Sequence, residues 1–331
     1  MGEAGLRRSY ASGADLGELV NRVVSYQMSK RIHDRDVASQ PDLDPRTIDS
    51  RIESYVTQND SLLPVDTGLE RPLFVRALAR VAWRNEEKRV SSRNDRVDFG
   101  LLYAPSQYSY ISAGLAGERT VSELRYITGQ GDGLAWGPRL DAGVVYNNTW
   151  AFSARYDWLS YRGDSDVSVD TPGGRLDIAR DVEYTRQFLD LEAVAHYNAR
   201  NVSWMPAGTQ VDWSTVLQYL DYRYEPQTDS LGRSVQEPFG DHNRLGIVRS
   251  TVMVAQSLGE SWSLGAELGV DYEWENNMDF PIDDPVTGVA GVSVTRLFAP
   301  GQRLMLEYER YENRRGQRSR DNVSLIATFD F

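Results

Sequence analysis

The stretch Trp262-Ser-Leu-Gly-Ala-Glu-Leu-Gly-Val-Asp-Tyr-Glu-Trp274 decides how the rest of the chain is read. Its alternate positions, Trp262, Leu264, Ala266, Leu268, Val270, Tyr272 and Trp274, are all apolar or aromatic. Between them stand Ser263, Gly265, Glu267, Gly269, Asp271 and Glu273. A period of two puts each set on its own face of an extended strand, one greasy and one acidic. Strands of soluble proteins commonly run about 5 to 6 residues. An apolar band of about 9 to 11 residues, ringed at both ends by Trp or Tyr, is what a tilted strand needs to cross a bilayer.

The same alternation recurs on both sides of this stretch. Val75, Ala77, Ala79, Val81 and Trp83 alternate with Arg76, Arg80 and Arg84; Trp136, Leu140, Ala142, Val144 and Tyr146 alternate with Arg139 and Asp141. Trp150, Phe152, Ala154, Tyr156 and Trp158 enclose Arg155 and Asp157, and Leu189, Leu191, Ala193, Ala195 and Tyr197 enclose Asp190, Glu192 and His196. Trp83, Trp136, Trp158, Trp262, Trp274 and the final Phe331 fall where such strands meet the membrane-water boundary.

Composition narrows the class. No stretch approaches the ~18 consecutive apolar residues of a membrane-spanning helix, which excludes helical membrane proteins. The 18 Tyr and 8 Trp against 9 Phe favour rings with a polar tip, suited to an interface. A net charge of -12 leaves no basic stripe for nucleic acid, and the absence of Cys removes disulfides, Cys-ligated zinc and Cys nucleophiles.

The chain closes with Val323, Leu325, Ala327, Phe329 and Phe331 alternating with Asn322, Ser324, Thr328 and Asp330. A last amphipathic strand ending in Phe resembles the C-terminal signature of Gram-negative outer-membrane β-barrels, over residues 70–331. That resemblance implies an outer-membrane location, contact with lipid, and a C-terminal strand read by the barrel-assembly machinery. The fold class expected is all-β, a transmembrane up-and-down antiparallel barrel. Such barrels alternate short periplasmic turns with longer external loops. Turns are expected at 147–148, 258–260 and 299–301, with a longer periplasmic connection at 199–210. External loops are expected at 129–137, 163–181, 225–242, 275–285 and 313–321. With 97–115 as one strand bulged at Pro105, the count is 12 strands. A hairpin at 104–107 instead gives 13, which an even-numbered barrel disfavours, and 14 is the next even count.

Residues 1–63 read differently. Leu16, Leu19, Val20, Val23, Val24, Met28 and Ile32 recur at helical spacing over 12–34, and Asp44-Pro45 opens a second candidate helix over 44–59 with Ile48, Ile52, Tyr55 and Val56 on one face. This segment is expected to be a helical pair serving as a terminal repeat, a linker or a plug. The first residues lack the apolar core of a signal peptide, as a mature or excised piece would.

Chemistry is expected on the inward face. Arg76, Arg80, Arg84, Arg139, Arg155, Arg249 and Arg303 meet Asp141, Asp157, Asp190, Glu192, Asp212, Glu267, Asp271, Glu273, Glu307 and Glu309 there. An acid-biased lumen admits neutral or cationic solutes and repels anions. His196 lies near Asp190 and Glu192, but no Ser beside it makes a nucleophile pattern. There is no zinc spacing, phosphate loop or calcium loop, and the acidic run at 164–170 reads as a solvated loop. No enzyme activity and no cofactor are expected. Within the barrel class the chain resembles the C-terminal translocation barrel of exopolysaccharide exporters, which implies periplasmic export partners, or an autotransporter translocator. A porin with an N-terminal plug and a surface receptor or adhesin acting through its loops are the other readings.

Overall fold

The computed structural model describes residues 24–37, 48–65, 73–86, 90–106, 108–124, 128–147, 149–235, 241–277, 285–299, 302–313 and 318–330. In chain order the strands are β1 (Val24–Val37), β2 (Ile48–Val65), β3 (Leu73–Glu86), β4 (Val90–Ser106), β5 (Ser109–Leu124) and β6 (Thr128–Tyr146). They continue with β7 (Trp150–Thr171), β8 (Gly174–Asn198), β9 (Thr209–Tyr224), the two-residue β10 (Gln227–Thr228) and β11 (Ser234–Val235), and β12 (His242–Leu258). The last four are β13 (Trp262–Asn276), β14 (Val286–Ala299), β15 (Gln302–Asn313) and β16 (Arg318–Asp330). Apart from the small β10–β11 hairpin, all of them form one closed antiparallel barrel of neighbour-to-neighbour pairings, sealed where β1 meets β16 from Ser25↔Asp330 to Val37↔Arg318.

The barrel therefore has 14 strands rather than 12: those from β3 onward supply 12, and β1 and β2 supply two more. The helices expected over 12–34 and 44–59 are corrected accordingly, because 24–34 lies in β1 and 48–59 in β2; 12–23 and 44–47 lie outside the described residues. The sequence misleads here for a definite reason. Val24, Met28 and Ile32 are four apart, as are Ile48, Ile52 and Val56, and a spacing of four satisfies a period of two as well as a period of 3.6. In β2 the intervening Thr57, Asn59 and Ser61 are polar, so no continuous greasy row announces a lipid-facing strand. Pairing decides the matter: the register joins β1 to β2 from Val24↔Ser61 to Val37↔Ile48, and β2 to β3 from Ile52↔Glu86 to Val65↔Leu73.

Two smaller expectations also change. The segment 97–115 is a hairpin, with β4 ending at Ser106, β5 beginning at Ser109, and the register shifting between Tyr103 and Ser106. Pro105 has no N–H to give a central ladder, which suits this break. The loops expected at 129–137 and 163–181 are strand: β6 runs through the first, and β7 and β8 stay paired from Gly163↔Val182 to Thr171↔Gly174 around a turn at Pro172 and Gly173. Beyond the bilayer both faces of a strand are polar, so the hydrogen-bond ladder continues where the hydrophobic pattern has stopped.

The outward faces carry the apolar side chains. Leu268 is 70% exposed, and Phe99, Leu115, Leu134, Val292 and Leu306 are exposed with it. The inward faces bury polar groups, among them Asp157, Asn322 and Ser324. This is a soluble protein turned inside out, as a lipid environment requires. Leu268→Arg is expected to destabilise the barrel by about 2–4 kcal/mol in urea unfolding from lipid vesicles. Leu231→Arg, in the connection between β9 and β12, should change stability by no more than about 0.5 kcal/mol.

Candidate functional site: the barrel interior

Period two also places residues i and i+2 on one face, and three strands use this to carry an Arg and an Asp inward together: Arg96 with Asp98 on β4, Arg139 with Asp141 on β6, and Arg155 with Asp157 on β7. All six are buried. Arg96 reaches Asp98 at 2.7 Å, Asp157 at 3.0 Å and Glu118 at 3.7 Å. Arg139 pairs with Asp98 and with Asp141, the latter also held by Arg76 at 2.9 Å. Arg155 reaches Asp157 at 2.6 Å, and Arg186 on β8 clasps both oxygens of Glu118 on β5 at 3.0 and 2.7 Å. From β4 to β7 is three strand spacings, about 14 Å along a flat sheet. The Arg96–Asp157 contact is possible because the wall curves and an arginine is long, so the network ties the strands across a chord.

Asp190 and Glu192 are also buried on β8, where the register sets Asp190 opposite Arg155. Sequence reading missed Arg96, Asp98, Glu118 and Arg186. The Arg-x-Asp spacing of β4, repeated on β6 and β7, is the signal that would have found the first two. Arg96→Gln, which leaves Asp98, Asp157 and Glu118 short of a buried partner, is expected to cost about 3–5 kcal/mol in the same unfolding measurement.

His196 is held by partners other than those its neighbours in sequence suggest. Its Nδ1 lies 2.5 Å from Asp212 Oδ1 and its Nε2 lies 2.8 Å from the Asn198 side-chain nitrogen, while Gln210 donates to the other Asp212 oxygen at 2.6 Å. Both ring nitrogens are engaged, with Nδ1–H donating to the carboxylate and Nε2 accepting from Asn198.

The wall built by β12, β13 and β15 is acidic. Glu267, Asp271, Glu273, Glu307 and Glu309 face inward with Arg249 and Arg303 among the described residues. Arg249 is committed to Asp271 through two contacts of 2.6 and 2.5 Å and lies over the Tyr311 ring at 5.2 Å. Asn276 donates to Glu273 at 2.8 Å. Strand β3, with Arg76 and Arg80 half-buried on its inner side, stands six places from β13 in a ring of 14, close to the opposite wall. The side chain of Arg84 lies outside the described residues.

Four tyrosines line the inner face at the end away from the termini. Tyr161 stacks on Tyr184 with centroids 4.4 Å apart, and Tyr184 meets Tyr222 and Tyr224 at 5.3 and 5.1 Å. Gly133 makes the row possible, because a Cβ there would fall 2.1 Å from the Tyr161 hydroxyl. At the same end the connection after β9 folds back on β8, Ser230 N donating to Ala179 O at 2.8 Å. Asp229 in that connection accepts from the Arg233 N–H, the Arg233 guanidinium and the Leu231 N–H, which hold its carboxyl below the usual range. On the outside, Trp136, Trp158, Trp262 and Trp274 are exposed and Trp83 is half-buried. Phe331 lies outside the described residues.

A closed antiparallel barrel, apolar outside and charged within, is an outer-membrane β-barrel, and this chain has that fold and belongs in that membrane. Among solved structures it is similar to the translocator domain of autotransporter NalP from Neisseria meningitidis, with 11% identity and a TM-score of 0.52 over 100% of this chain and 96% of that one. It is similar also to a Pseudomonas aeruginosa FadL homologue, at 10% identity and a TM-score of 0.57 over 98% and 94%. The Pseudomonas putida toluene transporter TodX aligns at 12% identity and a TM-score of 0.55 over 96% and 93%. At these identities the likeness is one of fold. No family model and no curated protein matches the chain.

Proposed function

We propose that the barrel is a conduit for a polar solute, and that a neutral or cationic carbohydrate chain of the exopolysaccharide type is the class its interior suits best. The observation that carries this reading is the inward face itself, polar or charged on almost every strand. Eight strands give an interior that side chains fill, and 16 to 18 leave an aqueous channel; with 14 strands the proposal requires a path that passes beside the ion pairs of one wall. The acidic wall across from the β3 arginines sets up a transverse field that draws in cations. The tyrosine row offers flat rings with hydroxyls, surfaces on which a pyranose can stack.

An export role is not supported by a preceding helix, since residues 24–37 and 48–65 are spent on the barrel wall. The reading therefore rests on the interior alone, whose geometry serves passage in either direction. Both ring nitrogens of His196 are occupied, which supports a transporter over a hydrolase. Lipid surrounds the outward face in this reading, β16 is the strand offered to the barrel-assembly machinery, and periplasmic partners would feed the end that carries the termini.

In planar bilayers with a KCl gradient, the refolded chain is expected to conduct with a preference for potassium over chloride. Cationic glucosamine oligomers should block the current, and Tyr184→Ala should shorten the block about five- to tenfold, the equivalent of about 1 kcal/mol of ring contact. A folded barrel that carries no current, or one selective for chloride, contradicts the proposal.

A further inference from the structure

Outward arginines come in two kinds in this barrel. Four at the end away from the termini each meet a carboxylate: Arg119 reaches Asp132 at 2.7 Å, Arg162 reaches Glu183 at 3.6 Å, Arg244 reaches Glu275 at 3.1 Å and Arg310 reaches Glu312 at 3.0 Å. Arg296, at the opposite end on β14, is exposed and differs from them. Among the described residues no carboxylate lies within ion-pair reach of it, Glu260 of the adjacent turn included, and its N–H donors make no hydrogen bond. Its contacts are two aromatic rings: the guanidinium carbon lies 5.3 Å from the Trp262 centroid and 4.8 Å from that of Phe298.

Both rings are placed by the sheet. The register sets Arg296 between Trp262 of β13 and Leu304 of β15, in a row that continues to Leu258 on one side and Ala327 on the other. Arg296 is the one charge in that row of five. Phe298 stands at the bulge between Leu297 and Ala299, and bulges at barrel rims re-aim side chains. One step toward the middle of the barrel wall, the register brings Leu264, Val294 and Leu306 side by side, all three exposed.

A cation among apolar neighbours on a lipid-covered face needs something at its open edge. The ring faces attract it and fix its position, but they carry no acceptor oxygen. Water would hydrate that edge; a phosphate meets the guanidinium fork with two parallel hydrogen bonds and cancels its charge as well. Tryptophan marks the headgroup level of a membrane, where phosphodiesters lie. The turns at this end are short, from Leu258 to Trp262 and from Ala299 to Gln302, as on the periplasmic side of such barrels. The phosphates at that level are those of the periplasmic leaflet. A zwitterionic headgroup brings a second cation to a place where the arginine already lacks a carboxylate, so an anionic headgroup is the better complement.

We propose that Arg296, Trp262 and Phe298 form a headgroup site for an anionic phospholipid of the periplasmic leaflet. The phosphate sits on the guanidinium and the acyl chains run along Leu264, Val294 and Leu306. The site requires a folded barrel and is independent of whether the barrel conducts.

The probe is the refolded full chain in detergent micelles that hold equal amounts of phosphatidylglycerol and phosphatidylcholine of the same chain length. Native mass spectrometry is expected to show phosphatidylglycerol retained over phosphatidylcholine by about fivefold, the effect of one basic residue at an anionic surface. Arg296→Gln should abolish the preference. Arg296→Lys, which keeps the charge without the fork, and Phe298→Leu, which removes a ring, should each leave an intermediate one. Arg310→Gln, at the far end, should leave it unchanged, and heat-modifiable migration shows that each variant is folded. Inorganic phosphate in millimolar excess should not displace the lipid, since it brings no acyl chains. A folded wild type that retains both lipids equally overturns the site, and so does a preference that survives Arg296→Gln. Displacement by inorganic phosphate also overturns it, because the arginine would then be a general anion site with no claim on lipid.

Discussion

Inside a bilayer no water reaches the backbone, so every N–H and C=O must find its partner within the protein. A sheet meets that demand only by closing on itself, and everything else in this structure follows from the closure. It explains why β1 must lie against both β2 and β16, and why 14 strands are used where the outward hydrophobic pattern alone shows fewer. It also separates the residues into two solvents: what faces out is chosen by lipid, and what faces in is free to be charged. The Arg-x-Asp rows of β4, β6 and β7 and the acidic wall of β13 and β15 exist because the second face was released from the first.

Most of the barrel was legible in the sequence because a lipid-facing row must be apolar at every second residue over a full membrane thickness. β13, from Trp262 to Trp274, states that rule without interruption. β7 and β16 state it nearly as well. The rule fails where one face lacks the signal. β2 carries Thr57, Asn59 and Ser61 at alternate positions, and its Ile48, Ile52 and Val56 sit at a spacing that suits a helix equally well. The distal halves of β7 and β8 are polar on both sides, so residues 163–181 look like a loop until the pairing is known. The turn between β4 and β5 is short, and nothing but Pro105 marks it.

The interior was legible as a list and not as an arrangement. Alternation alone puts Arg139, Asp141, Arg155 and Asp157 on one face, but pairing of Arg96 with Asp157 depends on curvature three strands wide. His196 sits in sequence near Asp190 and Glu192, yet its carboxylate is Asp212, which the register of β8 and β9 sets opposite it. Arg296 meets the Trp262 ring only because the register of β13 and β14 sets the two side by side. Contacts of this kind are properties of the register, and the hydrophobic period carries no information about register between distant strands.

The claim on which the account stands is that the segment before residue 66 is barrel wall. The chain has no Cys, so a pair introduced as Met28→Cys and Ala327→Cys reports on the seam alone. Directly opposed residues of antiparallel strands lie about 4.5–5.5 Å apart at Cα, within disulfide reach. The account predicts that this pair cross-links on oxidation of the folded protein in vesicles, while Met28→Cys with Arg318→Cys, displaced along the same seam, does not. No cross-link from the opposed pair in a barrel that is otherwise folded would contradict it, and would mean that the sheet closes without β1.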